Sequence, residues 1–157
     1  MKNLFFYQTA IGKIGICETH DAITNLYFPA ENIPGEVRLQ ETAILKDAGE
    51  QLKNYLAGKQ NNFNLPLSPA GSNFFLQVWQ QLQAIPYGET RSYQSIAQSV
   101  GNPKASRAVG LANNRNPVPI FIPCHRVIGT KGHLTGYRGG LELKAYLLEL
   151  EQSHGNF

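Results

Sequence analysis

The segment PVPIFIPCHRV, residues 117–127, combines a restrained backbone with two reactive side chains. Its three prolines surround an apolar run. Proline lacks a backbone donor and clashes with the preceding helical turn, so it is excluded from a helix interior. The segment is therefore predicted to be a stiff, extended strand. Cys124 and His125 follow each other near its end.

The Cys124–His125 pair is the candidate chemical centre. A thiolate is a much better nucleophile than a thiol, and an imidazole can remove the proton directly or through a water. Glu151 is the best candidate to orient that imidazole, because it shares the core-facing side of the last predicted helix with Leu147 and Leu148. A carboxylate placed there needs a partner. A thiol–imidazole–carboxylate relay is the resulting prediction, although a Cys-His dipeptide by itself favours a purely structural role.

A pair of short helices is predicted before this segment. Ser92 is expected to cap a helix that Gly101 ends, and Asn102 to cap a second helix that begins at Pro103 and runs to about Asn113. Two short helices joined by a tight turn form a helix-turn-helix pattern, which also occurs in ordinary helical cores. The predicted inner face of the second helix carries Ala105, Ala108, Val109 and Ala112. Its outer face is basic and small, which suits a DNA groove, and carries Lys104, Arg107, Gly110, Leu111 and Asn114.

The remaining sequence divides at the linker-like run Ser68–Ser72. Before it, apolar spacing predicts a helix from Glu41 to Leu56. Segments rich in aromatic and β-branched residues predict strands at residues 3–8, 12–18, 22–28 and 62–67. After it, Ser72 is expected to cap a helix, and a last helix spans 141–151. We therefore expect a small α/β domain, residues 1–70, and a mostly helical domain, residues 71–157.

Composition and charge are those of an ordinary globular protein with a basic second half. The 157 residues are 42% hydrophobic and 16% charged, with a net charge of +3. No apolar run approaches the ~20 residues that span a bilayer, and the N-terminus lacks a signal-peptide pattern, so a cytoplasmic location without membrane association is expected. Seven basic residues and one acid lie between Glu89 and Arg138, which suits a polyanion partner. Cys17 and Cys124 are too few for a disulfide scaffold or a four-ligand zinc site.

The string PVPIFIPCHRV closely resembles the active-site signature of the O6-alkylguanine-DNA alkyltransferases. The resemblance covers nearly all of residues 71–157, whereas the first 70 residues match in general character only. It implies an α/β N-terminal domain similar to ribonuclease H and a mostly α-helical C-terminal domain with a winged-helix-like helix-turn-helix. Other matching positions include Val78-Trp79, 85–90, Ser92-Tyr93, 108–110, Asn116-Pro117, Gly136-Tyr137, 139–141 and Lys144.

The resemblance also implies a role for individual residues. Cys124 is similar to the alkyl acceptor, His125 to the base that acts through water, and Glu151 to the carboxylate that orients it. Tyr93 resembles the tyrosine that helps to rotate the nucleotide and protonates the departing purine. Arg107 resembles the arginine finger that replaces the flipped base in the stack.

Four further positions are implied around the lesion. Asn116 resembles the asparagine that joins the recognition helix to the active-site segment, while Val127 and Tyr137 correspond to pocket positions. Arg138 stands at the pocket rim, where many relatives have a small residue. We hypothesise that it narrows the pocket and disfavours bulky groups such as benzyl.

These implications lead to one function and two alternatives. The expected function is repair of double-stranded DNA by irreversible, stoichiometric transfer of an alkyl group from O6-alkylguanine, and from O4-methylthymine, to Cys124 after base flipping. No cofactor and no metal are expected, and the protein is expected to be a monomer. The alternatives are a relative that binds alkylated DNA without transfer, which would lack the acceptor cysteine, and a thiol hydrolase that uses Cys124, His125 and Glu151.

Overall fold

The computed structural model describes residues 1–154 and divides the chain into two compact units, Met1–Pro69 and a second unit that begins at Ala70. The first unit is a sheet domain and the second is mainly helical, as predicted. Among residues 1–154, no helix combines the length and the apolar character needed to cross a bilayer.

The first unit contains a four-stranded sheet in the order β3-β2-β1-β4. Strands β1 (Lys2–Thr9), β2 (Gly12–Thr19) and β3 (Ala22–Tyr27) are antiparallel neighbours, and the short edge strand β4 (Val37–Leu39) runs parallel to β1. The predictions of the first three strands are confirmed, and β4 was not predicted. Residues 14–18 of β2 are all buried, so both faces of this inner strand are covered.

Helix α1 (Ala43–Leu56) packs against the sheet and forms the hydrophobic core of the unit with it. It begins two residues later than the predicted start at Glu41. The core between helix and sheet contains fully buried side chains from both: Ile14, Ile16, Ile23, Leu26, Leu45, Leu52 and Tyr55. At roughly 25 cal/mol per Å² of apolar surface, such burial is the main stabilising contribution to the unit.

The strand predicted at residues 62–67 is wrong. Only Leu67 forms a bridge, with Ile23. The backbone N–H of Asn64 is bonded to Oε1 of Gln51 at 2.9 Å. Because that N–H bonds to a side chain, it does not join a sheet ladder.

In the second unit, the helices α2 (Asn73–Gln83) and α3 (Tyr93–Ser99) begin where their caps predicted. The hydroxyl oxygen of Ser72 accepts from Phe75 N at 3.2 Å, and that of Ser92 accepts from Ser95 N at 3.0 Å. Each bond satisfies a donor that the first helical turn leaves without a helical acceptor.

The second helix of the predicted pair, α4 (Ser106–Asn114), starts three residues later than expected. Residues 102–105 form a turn instead, closed by a bond from Ala105 N to Asn102 O at 3.0 Å, so Pro103 is not the first helical residue. Ala108 was predicted to face inward but is exposed. Val109 and Ala112 are fully buried, as expected.

The signature segment is not the extended strand that was predicted. Ile120 has a positive φ of 74°, and Ile122 N bonds to Val118 O at 2.9 Å, so the chain turns back on itself. A 3₁₀ helix, Cys124–Arg126, follows. The prolines exclude an α-helix, but they permit this tight turn between them.

The remaining elements continue from that turn. Strand β6 (Val127–Ile128) pairs in parallel with β5 (Arg91–Ser92). A second 3₁₀ helix, Thr130–Gly132, leads into a glycine-containing loop. The last helix, α5 (Leu141–Ser153), ends two residues beyond the predicted stop.

Candidate active site

Cys124 is the first residue of the 3₁₀ helix and is 4% exposed. Two buried amides fix the turn around it. Asn116 donates from Nδ2 to Ile122 O at 2.8 Å and accepts from Val118 N at Oδ1 at 2.9 Å, while Asn113 of α4 donates from Nδ2 to Cys124 O at 3.2 Å. Buried backbone groups need such partners. The sulfur is therefore carried by a backbone that is bonded on both sides.

Burial raises the pKa of the Cys124 thiol above its ordinary value. Four contributions oppose this effect and lower the pKa: a hydrogen bond with Asn116, the positive charges of Arg138 and Lys144, and a backbone hydrogen bond at Cys124. Because burial prevails, the resting cysteine is a thiol. A base is needed to produce the reactive thiolate.

His125, the residue that follows Cys124 in the chain, forms a buried pair with Glu151. Nε2 of His125 lies 2.6 Å from Oε2 of Glu151, and both side chains are essentially inaccessible to solvent. Glu151 is a buried residue near the C-terminal end of helix α5. The structure thus brings together the imidazole and the carboxylate that sequence reasoning linked.

Arg126 is the third residue of this buried cluster, together with His125 and Glu151. Sequence reasoning did not assign it to the site. Its Nε donates to Oε1 of Glu151 at 2.8 Å, Nη2 donates to Oε2 at 3.0 Å, and Nη1 donates to Ile85 O at 2.7 Å. Gly88 N adds a bond to Oε1 at 3.2 Å. Bidentate pairing of this kind gives strong, directional bonds. The position of Arg126 directly after the Cys-His pair was the available signal.

The charges of the three side chains determine the proton positions. Burial alone would raise the pKa of Glu151, but the hydrogen bonds from His125 and Arg126 and the charge of Arg126 outweigh burial and lower it to about 2. Burial lowers the pKa of His125, and the charge of Arg126 adds to that effect against the hydrogen bond with Glu151. The carboxylate is therefore ionised and the imidazole neutral. Nε2 then donates to Glu151, and this tautomer leaves the basic lone pair on Nδ1.

A cavity of about 360 Å³ opens between α3, α4 and the loop before α5. This volume lies within the ~300–1,000 Å³ range of small-molecule pockets. Four of the residues that line it were predicted site residues, namely Tyr93, Arg107, Gly110 and Asn114. Ser106, Thr135 and Gly136 complete the lining and were not predicted.

Lys144 is a buried cation that was noted in the sequence without a role. It is fully buried on α5, and burial lowers its pKa while Cys124 raises it. Its Nζ donates to Thr135 at the backbone O, 3.2 Å away, and at Oγ1, 3.4 Å away. The Thr135 hydroxyl is also hydrogen-bonded to that of Tyr93.

Several predicted residues lie outside the lining of the cavity. Asn116 and Val127 are buried, Tyr137 is half-buried, and Arg138 is exposed with Nη1 bonded to Asn116 O at 3.0 Å. Lys104 and Leu111 are exposed, beside and on α4 respectively. Their contacts with DNA or with a lesion stay predictions.

Metal-ligand groupings give no further site. Among residues 1–154, no cluster of three or more His, Cys, Asp or Glu side chains is arranged to hold a metal ion. Cys17 and Cys124 are both free, buried thiols. Burial raises the pKa of Cys17 to about 11, so it is a poor nucleophile at neutral pH.

The second unit thus contains a buried thiol that is followed in the chain by an imidazole bonded to an ionised carboxylate. Comparison with known proteins gives the family of the chain. The model of the 6-O-methylguanine DNA methyltransferase DNA binding domain matches residues 73–153, and that of the ribonuclease-like domain of the same proteins matches residues 5–69. The chain belongs to the 6-O-methylguanine DNA methyltransferase family.

Individual relatives match over almost their whole length. The methylated-DNA–protein-cysteine methyltransferase of Methanosarcina barkeri is 53% identical over 94% of this chain and 95% of its own. The constitutive methylated-DNA–protein-cysteine methyltransferase of Bacillus subtilis is 49% identical over 92% of each chain. The crystal structure of Mycobacterium tuberculosis OGT in complex with DNA superposes with a TM-score of 0.92 at 42% identity, covering 97% of this chain and 94% of that one.

Proposed function

We propose that this protein repairs DNA by transferring a methyl or larger alkyl group from O6-alkylguanine directly to Cys124. The observation that carries the proposal is the pairing of neutral His125 with ionised Glu151 at 2.6 Å, directly after a buried thiol. The relatives named above as methylated-DNA–protein-cysteine methyltransferases support the same reaction. O4-methylthymine is a second proposed substrate.

The proposed reaction is a single displacement at carbon. His125 accepts the Cys124 proton at Nδ1, directly or through a water, and Glu151 stabilises the resulting imidazolium. The thiolate forms an S–C bond as the C–O6 bond breaks, and the electron pair of that bond passes to the purine. The Tyr93 hydroxyl gives a proton to the departing purine. The product is a thioether, so each molecule reacts once.

The base must leave the DNA stack before this reaction. A stacked guanine is inaccessible inside the duplex, and extrusion costs a few kcal/mol. We propose that α3 and α4 act as a winged-helix-like helix-turn-helix, and that Lys104, Arg107, Gly110, Leu111 and Asn114 face the DNA. Arg107 lines the cavity and fills the space that the flipped base vacates. Residues 71–157 would then bind DNA and transfer the alkyl group, and residues 1–70 form the smaller domain.

The surroundings of the lesion are assigned on the same basis. Asn116 holds the turn that carries Cys124 through its bonds to Ile122 O and Val118 N. Val127, Tyr137 and Arg138 are proposed to border the alkylated base. Arg138 is bonded to Asn116 O, which fixes its guanidinium beside the same turn.

The test is transfer from duplex DNA that carries O6-[³H-methyl]guanine. We expect one label per protein molecule, on the peptide that contains Cys124. The matched control is Cys124→Ser, which should bind the same DNA and acquire no label. Binding by the wild type without transfer would indicate a protein that only recognises the lesion. Repeated turnover of an activated ester would indicate a hydrolase, and either result would overturn the proposal.

A further inference from the structure

A chain of hydrogen-bonding groups connects the cavity with the buried cation. Tyr93 and Thr135 both line the cavity and their hydroxyls are bonded to each other. Behind them, Nζ of Lys144 reaches Oγ1 of Thr135 at 3.4 Å and its backbone O at 3.2 Å. Thr135 is the only link between Tyr93 and Lys144 in these bonds among the described residues.

The chemistry of these groups fixes the direction of the bond between Lys144 and Thr135. An ammonium group has donors and no acceptor, so Oγ1 of Thr135 accepts from Lys144. Oγ1 keeps a second lone pair, so either hydroxyl can donate in the bond between Thr135 and Tyr93. When Thr135 is the donor, the tyrosine hydrogen stays available to an acceptor in the cavity.

The loop that carries Thr135 is closely packed. Gly129 N bonds to His133 O at 2.7 Å. A Cβ added at Gly129 would lie 3.1 Å from His133 O and 3.3 Å from Cγ2 of Thr135, which is tighter than ordinary van der Waals contact. The position of the Thr135 side chain is therefore set by its own loop as well as by Lys144.

We propose that Thr135 is a positioning residue, which donates its hydroxyl hydrogen to Tyr93 and so directs the Tyr93 proton to the departing purine. This inference rests on the proposed alkyl transfer. The bond from Lys144 holds Thr135 in an orientation from which it can donate. Thr135 thereby becomes part of the site, although neither the signature segment nor the thiol–imidazole–carboxylate relay pointed to it.

The proton balance follows from this orientation. As the S–C bond forms and the C–O6 bond breaks, a ring nitrogen of the purine takes the Tyr93 proton. The negative charge that develops on the tyrosine oxygen is stabilised by the Thr135 hydroxyl. Thr135 can then pass its proton to Tyr93 and take one from Lys144, which leaves Lys144 as a neutral amine.

The first test compares two substitutions at position 135 with the full-length protein. Thr135→Val keeps the shape and removes the hydroxyl, whereas Thr135→Ser keeps the hydroxyl. Single-turnover transfer from O6-methylguanine DNA should fall about tenfold in the valine variant, a part of the roughly 10²–10⁴-fold typical of general acid catalysis. The serine variant should recover most of that rate, with the DNA dissociation constant unchanged in both.

A second substrate separates the leaving group from the nucleophile. Methyl iodide methylates a thiolate and releases iodide, which needs no proton. Its reaction, followed by the mass of the peptide that contains Cys124, should be the same in wild type and Thr135→Val. Equal loss on both substrates would mean that position 135 acts on the thiol or on folding, and would overturn the inference.

A double-mutant cycle with Tyr93→Phe completes the test. If Thr135 acts through the Tyr93 hydroxyl, Thr135→Val should reduce transfer in the wild type and have no further effect in the phenylalanine background. Additive losses would overturn the inference. Wild-type protein that transfers no methyl group at all would instead refute the proposed function, so the two failures are distinguishable.

Discussion

Arg126 and Glu151 are joined by two hydrogen bonds, from Nε to Oε1 at 2.8 Å and from Nη2 to Oε2 at 3.0 Å, at a site that excludes solvent. Hydrogen bonds from His125 and Arg126 keep Glu151 ionised, and burial keeps the imidazole of His125 neutral. The stability of the site and its chemistry therefore depend on the same carboxylate, and substitutions can separate the two.

We predict that Glu151→Gln destabilises the protein by about 3–5 kcal/mol, because the buried Arg126 charge loses its counter-ion. The double substitution Arg126→Met/Glu151→Gln removes both charges and should recover most of that loss. Its transfer rate should still be lower by about 10²-fold or more, since no carboxylate stabilises the imidazolium. Urea unfolding and single-turnover transfer measure the two effects. A double variant with the wild-type rate would contradict the role of Glu151.

Acid should destabilise the protein in a defined range. The pKa of Glu151 is lowered from 4.5 to about 2 in the folded state. The unfolded state therefore binds the proton first, so the stabilisation is complete above pH 4.5 and is lost as the pH falls toward 2. It amounts to about 3 kcal/mol. Urea unfolding at a series of pH values, compared with Arg126→Met/Glu151→Gln, isolates this contribution. If the free energy of unfolding depended on pH in the same way in both proteins, this contribution of Glu151 would be excluded.

The transfer rate should be insensitive to pH across the ordinary histidine range. Burial lowers the pKa of His125 below 6.5, so the imidazole remains a neutral base at and above that pH. Single-turnover rates on methylated duplex DNA should be level from pH 6.5 to about pH 8, where a free imidazole would already be fully deprotonated. A rate that halves between about pH 8 and pH 6.5 would show that His125 titrates normally.

Arg107 should matter for duplex DNA and not for a free base. It lines the cavity, and Arg115 at the end of α4 is an exposed arginine that does not. Arg107→Ala should slow repair of a duplex lesion about tenfold or more, because the unstacking of a few kcal/mol is no longer offset. Reaction with free O6-benzylguanine should be unaffected. Arg115→Ala is the matched control and should alter only salt-dependent DNA affinity. Equal losses on both substrates would argue against an inserted arginine.

Arg138 should discriminate by the size of the alkyl group. Its guanidinium is held on Asn116 O beside the turn that carries Cys124. Arg138→Ala should raise the ratio of benzyl to methyl transfer rates, since the proposed rim becomes wider. The ratio is the informative quantity, because loss of the Arg138 charge also raises the pKa of Cys124 and slows both reactions. An unchanged ratio would refute the size hypothesis.

Local sequence signals predicted most of the fold. Caps at Ser72 and Ser92 and the aromatic and β-branched composition of the first three strands are short-range features, and the structure has the caps and the strands where expected. The turn within residues 117–127 was missed because prolines exclude a helix without choosing between a strand and a turn. That choice depends on hydrogen bonds from the buried amides of Asn113 and Asn116 to backbone carbonyls 11 and 6 residues further along the chain, and no local pattern shows these bonds.

Some residues of the candidate site could likewise be predicted from the sequence, and others could not. Periodicity placed Glu151 on the buried side of the last helix, and its contact with His125 followed from the need of a buried carboxylate for a partner. Arg126 and Lys144 look like surface residues in a sequence, and only the packing of α5 against the 3₁₀ helix makes them interior. Thr135 lies in a loop without periodicity, so no pattern could single it out.

Trp79, the single tryptophan of the sequence, is buried on α2 and donates from Nε1 to Ala112 O of α4 at 2.8 Å. The protein thus contains an intrinsic fluorophore whose indole is bonded to the helix proposed to meet DNA. Its emission reports on the second unit alone, whereas far-ultraviolet circular dichroism reports on both. Recording the two signals during one denaturation therefore tells whether the units melt together, without attaching any dye.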